Sequence, residues 1–150
     1  MTKARSRFSL ITMGAIAAGA VLAFALPVDA AVSLQSESPP TAEVTLGDTA
    51  VLDAKGAVVF APVNVVCQPG SYASLNVSVT QNVGSGIASG TTYTQIQQCT
   101  GSVQSFEIAV VPTQKAFRRG VAFGQASLYV CLYTCHTALD EHNIEIVSRR

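Results

Sequence analysis

The chain has 150 residues, and its nine Lys and Arg balance its nine Asp and Glu, for a formal net charge of zero. Only 12% of the residues are charged. That leaves no basic excess to neutralise phosphates, and nucleic acid is excluded as a partner.

The first thirty residues read as a leader rather than as part of a fold. Lys3, Arg5 and Arg7 make a positive start, Phe8 to Leu26 carries no charge, and Pro27-Val28-Asp29-Ala30-Ala31 breaks the run with small residues. This is the layout of a secretory signal peptide over 1–30, with cleavage after Ala30 or Ala31. The competing reading is an uncleaved N-terminal membrane anchor, because the run is long enough to cross a bilayer. Ser6 separates Arg5 from Arg7, and no cysteine lies near the cleavage point, so neither a twin-arginine pair nor a lipid-attachment site is present there. Cleavage leaves about 120 residues, the size of one ordinary domain. Losing Lys3, Arg5, Arg7 and Asp29 takes nine basic and nine acidic residues to six and eight, so the exported chain is weakly acidic. The expected location is extracellular, with no membrane contact after cleavage.

Residues 31–42 are polar, carry Pro39-Pro40 and read as a flexible lead-in. From Glu43 to residue 150 the apolar pattern alternates with a period near two, the mark of strands with one wet face. Residues 57–66 (AVVFAPVNVV) form a β-branched run. Residues 73–80 put Leu75, Val77 and Val79 on one face with Asn76, Ser78 and Thr80 on the other. Residues 103–111 do likewise with Phe106, Ile108 and Val110. Residues 121–133 and 143–147 complete the set. Turn signals separate the runs at 53–56, 68–70, 84–86, Pro112 and 119–120. Thr137–Glu141 is the one candidate helical turn. Seven or so short strands predict an all-β fold, an immunoglobulin-like antiparallel β-sandwich, with a small barrel as the alternative.

The four cysteines are Cys67, Cys99, Cys131 and Cys135. An even number in an exported chain predicts disulfides. Cys131 and Cys135 belong to CLYTCHTALDEH, which also holds both histidines, His136 and His142. Haem attachment needs C-x-x-C-H, and here three residues separate the cysteines. No methionine survives leader cleavage to serve as an axial ligand. Zinc takes tetrahedral Cys and His sets, but Cys135 and His136 would point opposite ways on a strand, and thiolates would have to survive an oxidising compartment. The expectation is therefore no metal and no cofactor. A Cys131–Cys135 bond makes its own demand. Residues four apart on a strand lie about 13 Å apart, whereas a disulfide needs Cα atoms within about 7 Å. The chain would have to turn at Leu132-Tyr133-Thr134. The competing connectivity pairs Cys67 with Cys131 across the sandwich and leaves 125–135 as one strand. Three connectivities are open from spacing alone; the assignment we carry forward is Cys67–Cys99 with Cys131–Cys135. In the chain-entropy model these would contribute about 3–4 and about 2 kcal/mol.

Catalytic patterns do not assemble. His136 and His142 could serve as bases and Asp140 or Glu141 as acids, but no G-x-S-x-G elbow accompanies them. Gly84–Gly90 lacks the lysine of a phosphate loop and reads as a flexible hairpin loop. Asn76-Val77-Ser78 matches a glycosylation sequon but falls inside a predicted strand. Phe117-Arg118-Arg119-Gly120 reads as a solvated basic corner. Tyr129 and Tyr133 fall on one strand face with Cys131 and read as cover for a sheet.

The stretches Cys67-Gln68-Pro69-Gly70 and Ala73 to Gln81, then Gln98-Cys99-Thr100-Gly101 and Phe106 to Val110, resemble a group of small exported bacterial immunoglobulin-like β-sandwich proteins. The resemblance covers residues 56–130. It implies that fold and a Cys67–Cys99 bond, and nothing catalytic. The tail with Cys131 and Cys135 departs from the pattern. Its short disulfide loop is similar to that of the neocarzinostatin-type apoproteins, which carry an enediyne in a sandwich cleft. No ligand follows from that likeness, because fold does not imply function.

The sequence thus predicts a secreted, non-enzymatic binding or structural module. Its expected partner is an extracellular protein or a small molecule. Loops at one end, 84–90 and 131–142, would form the contact surface, with Leu132, Tyr133, His136 and His142 as candidate contact residues. The alternatives are a small-molecule carrier with an apolar cleft and a protease inhibitor presenting the 131–135 loop.

Overall fold

The computed structural model describes residues 42–149; the expected leader (1–30) and all but the last residue of the lead-in lie outside them. The described chain is all-β. Its strands are β1 (Ala42–Leu46), β2 (Thr49–Asp53), β3 (Val58–Cys67), β4 (Tyr72–Asn82), β5 (Ile87–Ile96), β6 (Gln104–Val110), β7 (Gly120–Cys131) and β8 (Cys135–Ser148). The only helical element among the described residues is one 3-10 turn, Ala54–Gly56.

Hydrogen bonding joins the strands into one open, mixed network in the order β1-β3-β2-β8-β7-β4-β5, with β6 on β3. Most pairings are antiparallel. The exception is β2 with β8, which run parallel from Thr49↔Glu145 to Leu52↔Ser148. The expectation of a purely antiparallel arrangement is corrected on that point.

Proline explains the unusual start. β1 pairs with β3 from Ala42↔Cys67 to Leu46↔Val63, and β2 pairs with it again from Val51↔Phe60 to Asp53↔Val58. Pro62 stands opposite the gap. Its carbonyl accepts from Gly47 N–H at 2.8 Å. Its own missing N–H would point to the same side, where no ladder bond is required. There the chain leaves β3, and β2 can reach β8.

The period-2 pattern sorts side chains as expected. Val59, Ala61, Val63 and Val65 of β3 are buried, as are Leu75, Val77 and Val79 of β4 and Ala126, Leu128 and Val130 of β7. Together with Leu46, Ile144 and Ile146 they form one apolar cluster. Burial of this kind contributes about 25 cal/mol per Å² of apolar surface.

Three local expectations change. Thr137–Glu141 is not helical: it lies within β8, paired from Tyr129↔Thr137 to Gln125↔Glu141. Residues 87–90 are not loop but the start of β5. Phe117 is not part of a solvated corner; it is 1% exposed and plugs the core from the β6–β7 connection. Gly56 receives that plug. Its φ is +94°, its carbonyl accepts from Phe117 N–H at 3.0 Å, and a methyl group there would overlap the Phe117 carbonyl oxygen. Only glycine meets both demands.

Candidate functional site

The β7–β8 hairpin carries the motif that the sequence singles out. Cys131 and Cys135 are direct cross-strand partners, and a disulfide joins them with a Cα–Cα distance of 4.2 Å. Leu132-Tyr133-Thr134 is the turn that this bond demands. It is closed by Leu132 N–H donating to the Thr134 carbonyl at 3.2 Å. Tyr133 at its apex is 97% exposed. Thr134 Oγ1 lies 3.1 Å from His136 Nε2, so His136 belongs to the hairpin tip.

His142 does not. It sits on β8 opposite Gly124, six residues and about 20 Å along the strand from His136. Its Nδ1 is 3.2 Å from Asp140 Oδ1 and its Nε2 is 3.3 Å from Asp48 Oδ1. Asp140 Oδ2 in turn accepts from Leu46 N–H at 2.7 Å. This group ties the β1–β2 corner to β8. The four residues weighed as zinc ligands are thus dispersed: the sulfurs are bonded to each other, and the imidazoles stand apart.

The second disulfide, Cys67–Cys99, pins the end of β3 to the β5–β6 connection with a Cα–Cα distance of 5.3 Å. Around it Gly101 N–H donates to the Cys67 carbonyl at 3.1 Å, and Ser71 N–H to the Gln68 carbonyl at 3.1 Å. Gln104 Nε2 reaches back to the Gln98 carbonyl at 3.0 Å. No described cysteine is free. Two such bonds are the pattern of an oxidising compartment. No helix among the described residues is long and apolar enough to cross a membrane.

Register places both disulfides at one end. Tyr72, which opens β4, pairs with Cys131, and Ala42, which opens β1, pairs with Cys67. Connections 68–71, 97–103 and 132–134 therefore gather there, and none holds a charged residue. The 83–86 turn lies at the far end of β4, ten strand residues and about 33 Å away. The expected grouping of the 84–90 and 131–142 loops at one end is thereby corrected. The far end instead collects every described Lys and Arg: Lys55, Lys115, Arg118, Arg119 and Arg149. Arg149 is paired with Asp53 at 3.0 Å. Gln81, only 4% exposed, holds the loop below it. Its Nε2 donates to the Arg118 carbonyl, and its Oε1 accepts from Arg118 N–H, both at 2.8 Å.

Beside the disulfide end, the outer face of β5-β4-β7 carries a feature that the sequence reading missed. Tyr93 lies outward opposite Asn76, and Tyr129 lies outward opposite Ser74. With Tyr72 they border a cleft of about 260 Å³ whose polar lining is Ser74, Gln95 and Gln97. Tyr72 is 84% exposed, Tyr93 59% and Tyr129 48%. The signal in the sequence is the alternation of Thr91, Tyr93 and Gln95 after Gly90.

No family model matches the chain, and no curated protein matches it. Among solved structures it is similar to the sporulation control protein Spo0M of Bacillus subtilis, at 15% identity and a TM-score of 0.34. The match covers 71% of this chain and 49% of that one, so the chain spans about half the length of that protein. A likeness of this size shows neither fold nor function.

Proposed function

We propose that the protein is a secreted, non-enzymatic binding module with an immunoglobulin-like β-sandwich fold, and that it meets its partner outside the cell through the disulfide-braced end. Support for the sandwich comes from the ladder. β1, β3 and β6 form one group and β8, β7, β4 and β5 another, with β2 alone paired to both. One apolar cluster draws on both groups.

The observation that carries the function is the convergence of both disulfides on an end whose connections hold no charged residue, with Tyr72, Leu132 and Tyr133 exposed. Tyrosine supplies contact area at small entropy loss and keeps a polar tip. A bonded scaffold also reduces the ordering penalty of binding. The three-residue turn is too tight to lie extended in a protease cleft. That favours a docking knob over the inhibitor reading.

The test is expression in the native host. The protein should be found outside the cell, lighter by the leader and by the hydrogens of two disulfides. Labelled protein should bind the host cell surface, and Tyr133→Ala should weaken that binding by about tenfold, as for a central aromatic anchor. A chain held in the cytosol with free thiols sinks the proposal. So does surface binding that ignores both Tyr133→Ala and Leu132→Ser.

A further inference from the structure

We propose that the outer face of β4, β5 and β7 binds a neutral polysaccharide, seated across Tyr72, Tyr93 and Tyr129. This rests on reading the protein as an extracellular binding module, and it adds the chemical class of ligand. The first observation is compositional. β4, β5 and β7 contain no Lys, Arg, Asp or Glu. An edge strand such as β5 is ordinarily guarded by charge, lysine above all. The solvent side of β4, β5 and β7 presents hydroxyls, amides and phenol rings near the disulfide end, with Ile87, Val121 and Phe123 exposed toward the other end.

The second observation is the arrangement. Tyr129 and Tyr93 flank β4 from the two neighbouring strands, offset by two residues along it and about 12 Å apart. Tyr72 is a diagonal neighbour of Tyr129, since its direct partner is Cys131. Between the rings lie Ser74 and Gln95, which are cross-strand partners. A pyranose has the matching character. Its axial C–H bonds form an apolar patch that stacks on the electron-rich face of a phenol ring, and its equatorial hydroxyls take amide and hydroxyl partners. A run of three linked sugars spans the rings, its end units stacking and its middle unit over the polar side chains between them.

Other ligands fit less well. A charged polymer would lose hydration and find no counter-charge on these strands. An apolar ligand would leave Ser74 and Gln95 covered and unpaired. The basic residues that a polyanion needs lie at the far end of the molecule.

The test is affinity electrophoresis of the exported, disulfide-bonded protein in native gels containing dextran, mannan, β-1,3-glucan or xylan. At least one polymer should retard it, and retardation should persist to about 0.5 M salt, where surface charge is screened. Tyr93→Ala and Tyr129→Ala should each raise the dissociation constant by about tenfold, the size of one lost aromatic stack. Tyr93→Phe should stay near wild type, and Arg118→Ser should change nothing. The mutated rings are exposed, so an unchanged melting temperature checks the fold of each variant. Three results overturn the proposal: no retardation by any of these polymers, retardation that the tyrosine variants do not move, or sedimentation showing a dimer that Tyr93→Ala dissolves. An exported protein that binds cells but ignores the polymers removes the ligand class alone. A protein retained in the cytosol removes the reading beneath it.

Discussion

Gln81 is a polar side chain in an apolar neighbourhood, and its two bonds to Arg118 explain its presence. The β6–β7 connection has no strand partner at that point, so its backbone groups need a substitute ladder. The Gln81 amide supplies one donor and one acceptor at 2.8 Å each. It thereby fixes the segment that delivers Phe117 to the core. Gln81→Leu keeps the volume but leaves an N–H and a C=O partly buried and unpaired. Each such group costs about 1–3 kcal/mol. Urea unfolding of Gln81→Leu should therefore show a loss of about 2–3 kcal/mol. A loss under about 0.5 kcal/mol, the range of an ordinary surface change, would mean that water replaces the amide and that the loop is held by Phe117 alone.

At the scale of elements, the two disulfides make different contributions. Cys67–Cys99 closes a sequence separation of 32, whereas Cys131–Cys135 closes one of 4. Chain entropy then assigns about 4 kcal/mol to the first bond and about 2 kcal/mol to the second. The paired change Cys131→Ser with Cys135→Ser should lower stability by the smaller amount and leave the β7–β8 register intact, because the ladder continues to Gly120↔Ile146. Cys67→Ser with Cys99→Ser should lower it by the larger amount. Equal losses by chemical denaturation would show that strain or residual structure, not loop length, sets the scale. The hairpin also shows what could be read beforehand. The turn at Leu132-Tyr133-Thr134 followed from the reach of a disulfide, and β3, β4, β6 and β7 followed from alternation. The first half of β8 did not, because Cys135–Glu141 buries neither face fully. It stays extended through its ladder to β7, a cause invisible in local sequence. β5 is hidden for a related reason: its inward positions Ala88, Gly90, Thr92 and Thr94 are small or polar, and only Ile96 at its end marks a hydrophobic face. With β5 unread, Tyr93 could not be placed beside Tyr129, so only the tip of the candidate site was legible and not its face.

The described fold is polarised although the formal charge of the chain balances. All five described Lys and Arg lie at the end holding the 83–86 turn, the 111–119 connection and the end of β8. Only Arg149 of these is engaged in an ion pair, with Asp53. Asp53 and Glu145 lie near this end, and Glu43, Asp48, Glu107, Asp140 and Glu141 are spread beyond it. A sequence pI near 6.7 hides this separation. A local cationic field depends on the nearest charges, since those beyond about 10 Å are screened at moderate salt. The chain from residue 31 onward should therefore be retained on a sulfonate resin at neutral pH and low salt, against its weakly acidic net charge. Arg118→Ser with Arg119→Ser should release it, because those two residues are adjacent, exposed and unpaired. Elution in the void for the wild type would mean that the acidic strands outweigh the pole. Retention in the variant would place the attraction elsewhere. With retention as expected, a negative surface would hold the molecule by its basic end and leave the disulfide-braced end facing outward, free for the partner proposed above.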